Sequence, residues 1–269
     1  MDSRKLERIV LLVLLLLNAF LLAVVLSDSA QTRRSNAETA ASLTAMLNEN
    51  GLSVADGAVQ IRSAPPKYTL TRDLAQEQRI VKRLIGEKQT EDQGGNIFFY
   101  EGTRGRALLR GSGELDMLFD SGAVPRRSAL RLLRRAGINA VAANDAEDGE
   151  DAVQLYCTLD GIPVYNAVLQ ADFVGGSFYM LSGTRIFDSA VKRDSDGLLD
   201  SVSVLLRFLE IVRTEGYICS RIEAVEPAYL QTVTRSGEAE LAPIWRIGTD
   251  TGAVLIDAER GEAVTIGIR

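Results

Sequence analysis

Eighteen consecutive residues, Ile9 to Leu26, are apolar except for Asn18, and Arg4, Lys5 and Arg8 stand just ahead of them. At about 1.5 Å per residue, such a helix is roughly 27 Å long, close to the hydrocarbon thickness of a bilayer. No other stretch of the chain approaches this length without a charge. The sequence therefore predicts a single transmembrane helix with everything after Leu26 on one side. A cleaved signal peptide is the competing reading. Its hydrophobic region is usually shorter, and the best cleavage candidate here, Asp28-Ser29-Ala30, puts an acid where a small neutral residue is wanted. Three basic residues before the segment, against Arg33 and Arg34 after it, place the amino terminus inside the cell. Residues 1–8 are then the whole cytoplasmic part, too little for a catalytic or DNA-binding domain.

The exported remainder is long enough for several small cores. The chain carries net −6, and its first eight residues hold three basic against two acidic groups, so the exported part sits near −7. A net-acidic body argues against nucleic acid as a partner. Histidine is absent. That removes Ser-His-Asp and Cys-His nucleophile systems, histidine-based zinc sites and histidine pH switches. Cys157 and Cys219 have no metal-ligand spacing. They either form one disulfide or sit as two small buried side chains.

A helix is expected from Ser35 to just before Gly51, with Ser35 and Glu38 spaced as a capping box. A strand follows near Leu52–Ile61, and Pro65-Pro66 interrupts the chain. Beyond that point a helix-then-strands pattern recurs three times. The first unit has a helix at Asp73–Ile85, then strands at Asn96–Tyr100, Arg106–Arg110 and Glu114–Phe119. The second has a helix at Pro125–Ala136 ended by Gly137, then strands at Ala152–Leu159, Pro163–Phe173 and Ser177–Phe187. Asp160-Gly161 and Gly175-Gly176 supply its tight turns. The third has a helix at Leu198–Thr214, then strands at Tyr217–Val225, Ala228–Thr234, Leu241–Thr249 and Ala253–Ile256. The expected fold is α+β: one amino-terminal transmembrane helix, then tandem helix-plus-antiparallel-meander modules of PepSY or cystatin type. The domains are expected at 1–8 (tail), 9–26 (transmembrane), 27–66 (membrane-proximal helix and linker), 67–122, 123–190 and 191–269.

Three stretches stand out: Met1-Asp2-Ser3-Arg4-Lys5 leading into a helix with Asn18; Gly161-Ile162-Pro163-Val164-Tyr165-Asn166; and Leu241-Ala242-Pro243-Ile244-Trp245-Arg246-Ile247 with Asp250-Thr251-Gly252 and Asp257-Ala258-Glu259-Arg260-Gly261-Glu262. Together they resemble the YycI family of two-component regulatory proteins and the related YycH family. Asp257 departs from the pattern, standing where such strands often carry Asn. The resemblance implies a non-enzymatic membrane protein of Gram-positive bacteria. It implies as partners a WalK-like sensor histidine kinase governing cell-wall metabolism and a YycH-like protein, met through transmembrane helices.

The expected partner-contact face of the transmembrane helix is Leu11, Leu15, Asn18, Leu22 and Val25, which share one side of a helix. An amide in the bilayer either bonds across to a neighbouring helix or back onto its own backbone. Arg126, Arg127, Arg131, Arg134 and Arg135 make one helix strongly basic. That is either a solvated face or a dock for an acidic partner or anionic wall polymer. Asp145, Glu147, Asp148, Glu150 and Asp151 form an acidic loop without the ligand spacing of an EF-hand. Gly102-Thr103-Arg104-Gly105 reads as a turn between strands, not a nucleotide loop. No pair of carboxylates stands out as catalytic, so no catalytic residue, cofactor or metal is expected. Tyr156, Tyr165, Phe173, Phe178 and Tyr179 alternate in strand-like runs, either as core or as part of a sheet that accepts a peptide strand at its edge.

Overall fold

The structure is a computed structural model describing residues 14, 18, 31–120, 122, 124–143, 151–233 and 238–264. Helix α1 covers residues 31–49, and β1 is only Ser53–Val54. The elements that follow are β2 (Tyr68–Thr71), α2 (Leu74–Ile85), β3 (Glu87–Asp92), β4 (Phe98–Gly102), β5 (Gly105–Leu109) and β6 (Glu114–Phe119). A 3-10 turn at Arg126–Ser128 leads into α3 (Ala129–Ala136), and β7 (Ala140–Ala142), β8 (Ala152–Leu159), β9 (Ile162–Val174), β10 (Ser177–Thr184) and β11 (Ser189–Lys192) come next. The chain closes with α4 (Ser201–Thr214), β12 (Arg221–Val233), β13 (Glu238–Thr249), β14 (Gly252–Asp257) and β15 (Ala263–Val264).

These strands do not form three modules in tandem. They join one mixed 15-stranded sheet with the order β11-β2-β13-β12-β9-β10-β6-β5-β4-β3 along its main path. β2 lies between β11 and β13, β6 beside β10, and β9 beside β12, so pairing partners are drawn from distant parts of the sequence. The physical reason is coverage. Helices of 8 to 14 residues are too short to bury a meander each, whereas a shared sheet lets two helices cover one broad face. Among the described residues no helix is long and apolar enough to cross a membrane. The Ile9–Leu26 stretch lies outside those residues except for Leu14 and Asn18.

Two apolar cores lie along the sheet. In the first, α2 and α3 pack together over β4–β6 and β8–β10, with Ile80, Val81, Leu84, Leu133, Met117, Leu169 and Phe178 buried. In the second, α1 supplies Leu43 and Leu47, and α4 supplies Val204, Leu205 and Phe208. They cover Ile222, Trp245, Ile247 and Ile256 of β12–β14. The β12–β13 hairpin serves both: Tyr229 and Leu241 belong to the first core, Val225 and Trp245 to the second.

Local chemistry explains the helix ends. Asp73 accepts the Ala75 and Gln76 amides at 2.9 and 3.1 Å, and Gly86 ends α2 in the left-handed region at φ 65°. Gly137 ends α3 at φ 108°. α4 begins at Ser201, because Asp200 caps it by accepting the Ser203 amide at 2.8 Å. Ser35 is no cap: α1 runs through it, and its carbonyl takes a hydrogen bond from the Thr39 hydroxyl. β12 is one strand rather than two, continuing through Pro227.

Candidate functional site

Two candidate sites stand out among the described residues, one enclosed and one open. The enclosed one sits on α2. Glu77 shares the helix face of Ile80, Val81 and Leu84, and it is 0% exposed. Its carboxylate accepts four hydrogen bonds. Arg72 gives two, at 2.7 and 2.8 Å, Arg185 one at 2.6 Å, and the Tyr100 hydroxyl one at 3.0 Å. Arg185 also donates to Asp188 at 2.8 Å. Burial raises the Asp188 carboxyl above the usual range, and the Arg185 guanidinium opposes that shift. Each member is in at least one ion pair, although the Asp188 Oδ2 has no hydrogen-bond partner, and Glu77 and Arg185 are shut away from solvent, with Arg185 only 4% exposed. The cluster is a structural bolt between α2 and the segment after β10.

The open site is a groove of about 1230 Å³ between the two halves of the sheet. β9 and β12 run parallel but share one residue pair, Val164 with Tyr229. Just before that pair each strand carries a proline, Pro163 and Pro227. Neither has an N–H to continue the ladder, so the strands part there and the groove opens. On the other side of the pair, the Asn166 side chain stands in for a peptide group. It donates to the Gln231 carbonyl at 2.7 Å and accepts the Gln231 amide at 2.8 Å. One backbone pair and one amide thus hold the seam of β9 against β12.

The groove floor is aromatic and charged. The Tyr156 and Tyr165 rings lie 5.0 Å apart, and the Arg246 guanidinium is 5.9 Å from the Tyr165 ring centre. Arg246 also pairs with Glu226 at 3.2 Å. Partial burial raises the Tyr165 hydroxyl above its ordinary value, with Arg246 pulling the other way. β7 forms one wall and β15 another, and among the described residues β7 pairs only with β8 and β15 only with β14. Both therefore present unpaired backbone edges. Ile218, 84% exposed, and the half-exposed Val141 add apolar surface at the rim.

Other sequence-predicted residues fall as follows. Asn18 donates from Nδ2 to the Leu14 carbonyl at 2.9 Å, so its amide is bonded to its own helix, and the Leu14 side chain is exposed. Leu11, Leu15, Leu22 and Val25 lie outside the described residues. So do Asp145, Glu147, Asp148 and Glu150. Among the described residues no group of acids or cysteines is placed to hold a metal. Cys157 and Cys219 are free thiols beside different cores, not a disulfide. Burial pushes the Cys157 thiol up to about 11. Phe173 and Phe178 are core, stacked in a row with Phe119, while Tyr179 is exposed. Gly102 and Gly105 do flank a strand turn. A Cβ on Gly105 would come within 2.0 Å of the Leu118 carbonyl oxygen. Sequence reasoning missed the groove itself. Its only trace there is the pair of prolines at strand starts.

The stretches that carry the family resemblance have clear local roles. The Trp245 indole donates to the Leu199 carbonyl at 2.8 Å inside the second core. Asp250 accepts the Ser220 and Arg221 amides, which together with the Ser220 hydroxyl hold its carboxyl below the usual range. Asp257 accepts the Glu259 and Arg260 amides and so shapes the turn before Gly261. No family model matches the chain, and no curated protein matches it. Among solved structures, the chain is similar to an uncharacterized protein from Eubacterium rectale. The TM-score is 0.47 and the identity 10%, over 80% of this chain and 90% of that one. It is also similar to the Bacillus megaterium YpeB C-terminal domain, with TM-score 0.32 and identity 12%, over 73% of this chain and 99% of that one. Neither likeness is close enough to assign a family or an activity.

Proposed function

We propose that this chain is a non-enzymatic, membrane-anchored regulator of the kind the YycI resemblance implies. Its exported body binds an extended segment of a partner polypeptide in the groove between the two half-sheets. The anchor is Ile9–Leu26, with the amino terminus cytoplasmic. The partners are a sensor histidine kinase of a two-component system and a YycH-like protein. The observation that carries the reading is a convergence. Tyr165 and Arg246 come from two of the three stretches that carry the family resemblance, and they meet on the groove floor between two strand edges that are open among the described residues. An extended peptide adding to such an edge gains backbone hydrogen bonds, while aromatic and apolar side chains below select its sequence. A tethered binding module or protease inhibitor using the same edges is the second reading, and it differs in treating the anchor as passive.

The test is co-purification of the full-length protein from its own membranes. Recovery of a sensor kinase or YycH-like protein is expected. Ala142→Pro, which removes an N–H on the side of β7 facing away from β8, and Tyr165→Ala should abolish that recovery. Absence of both partners from the native preparation overturns the regulator reading. Replacing residues 1–26 with an unrelated transmembrane helix separates the two readings: loss of regulation supports the first, and retention supports the tethered module.

A further inference from the structure

A second surface, distinct from the groove, carries a concentration of positive charge that forms no ion pair among the described residues. From α3 and the turn before it, Arg127, Arg131, Arg134 and Arg135 are exposed. The adjoining α2 adds Arg79, Lys82 and Arg83, and the β4–β5 turn adds Arg104. Two hydrogen bonds from guanidiniums to backbone tie these segments together. Arg83 donates to the Arg135 carbonyl at 3.3 Å, and Arg104 donates to the Arg83 carbonyl at 2.6 Å. Those acceptors are backbone carbonyls, not carboxylates. Among the described residues none of the eight cations is in an ion pair, although Arg72, Arg110, Arg185, Arg207 and Arg246 all are. With these eight charges set aside, the net −6 of the chain becomes −14 over the remainder. The molecule is therefore strongly polarised, and self-repulsion on this face is relieved by an anion.

We propose that the α2–α3 face binds a linear phosphodiester polymer other than nucleic acid. The apolar sides of both helices are consumed in the first core, where Ile80, Val81, Leu84, Leu133 and Ala136 are buried. Leu130 and Leu74 are the large apolar side chains left exposed on the two helices. That is too little for the desolvated centre of a protein interface or for insertion into a bilayer surface. Neither helix carries an aromatic residue on which bases could stack, so single-stranded nucleic acid is disfavoured. Seven of the eight cations are arginine, whose planar fork matches two phosphate oxygens at once. Positions 127, 131 and the adjacent pair 134 and 135 follow one another at about one helical turn, roughly 5.4 Å. A flexible polyanion lying along them meets a cation at each turn.

The test titrates full-length protein in detergent with poly(glycerol phosphate) at increasing salt. Binding is expected, weakening steeply with salt as counterion release requires. The triple variant Arg79→Glu, Arg131→Glu, Arg134→Glu should lose roughly tenfold in affinity for each charge reversed. The neutral set Arg79→Gln, Arg131→Gln, Arg134→Gln provides a milder loss should the reversal fail to fold. Tyr165→Ala, in the groove, should bind the polymer as the native protein does. No binding at low salt, or variants binding like the native chain, overturns the proposal. Equal or tighter binding to poly-glutamate, to single-stranded DNA or to phosphatidylglycerol vesicles overturns it as well.

Discussion

Around α2 the apolar core encloses Glu77, Arg72, Arg185 and Asp188. Around α4 the equivalent space is filled by Phe208, Leu205 and Trp245, and the buried polar side chains beside it, Ser201 and Thr249, carry no charge. Both cores bury their large side chains equally well, so hydrophobic burial does not distinguish them. What differs is how each is locked. In the first, a four-bonded carboxylate fixes where α2 sits against the segment after β10, and an apolar slip there would strand ions in a low-dielectric interior. In the second, apolar shape and one indole hydrogen bond do the same work. The seam between them holds one strand pair and the Asn166 amide, and it is beside that seam that the groove opens.

The comparison is broken most severely at Glu77. Glu77→Ala takes the carboxylate away from Arg72 and leaves Arg185 with Asp188 alone, and it should cost about 4 kcal/mol of stability, read as a shift in denaturant midpoint. Replacing Arg72, Glu77 and Arg185 with methionine and Asp188 with asparagine removes all four charges and should recover a substantial part of that loss. In the uncharged core, Trp245→Phe loses ring volume and the bond to Leu199, for about 2.5 kcal/mol by the same measurement. At the seam, Asn166→Leu removes both bonds to the Gln231 backbone and should cost about 2 kcal/mol. Hydrogen exchange should accelerate at Gln231 more than in either core. The smallest effect concerns pH. Burial lifts the Asp188 carboxyl in the folded state above its unfolded value, so the fold binds that proton more tightly. Stability from this group is highest in acid and falls as pH rises from the ordinary carboxylate range through the raised value. Asp188→Asn should flatten that part of a stability–pH curve.

Elements governed by neighbouring residues were legible in the sequence. Asp73 and Gly86 bound α2, Gly137 ends α3, and the Asp160-Gly161 and Gly175-Gly176 turns join β8, β9 and β10 with positive φ at each turn residue. Strands whose identity depends on a distant partner were not. β3, Glu-Lys-Gln-Thr-Glu-Asp, has no apolar alternation, because it is an edge strand. β2 becomes a strand only because β11 and β13 flank it. The same long-range pairing turned the expected tandem modules into one sheet. The buried charges were hidden because Glu77 sits at a helix position read from its apolar neighbours. Tyr165 was seen as a strand aromatic, but nothing local places Arg246 above it. The basic helix was visible, whereas its extension onto α2 required the packing of the two helices.

A photo-crosslinking residue placed at position 165 in the full-length, membrane-embedded protein tests the groove most directly, with the same residue at exposed Leu206 on α4 as control. The prediction is an adduct from position 165 with the extracytoplasmic part of a sensor histidine kinase or YycH-like protein, and none from position 206. Equal labelling from both positions contradicts a groove-centred interaction. So does the absence of any adduct from position 165 while those partners still co-purify.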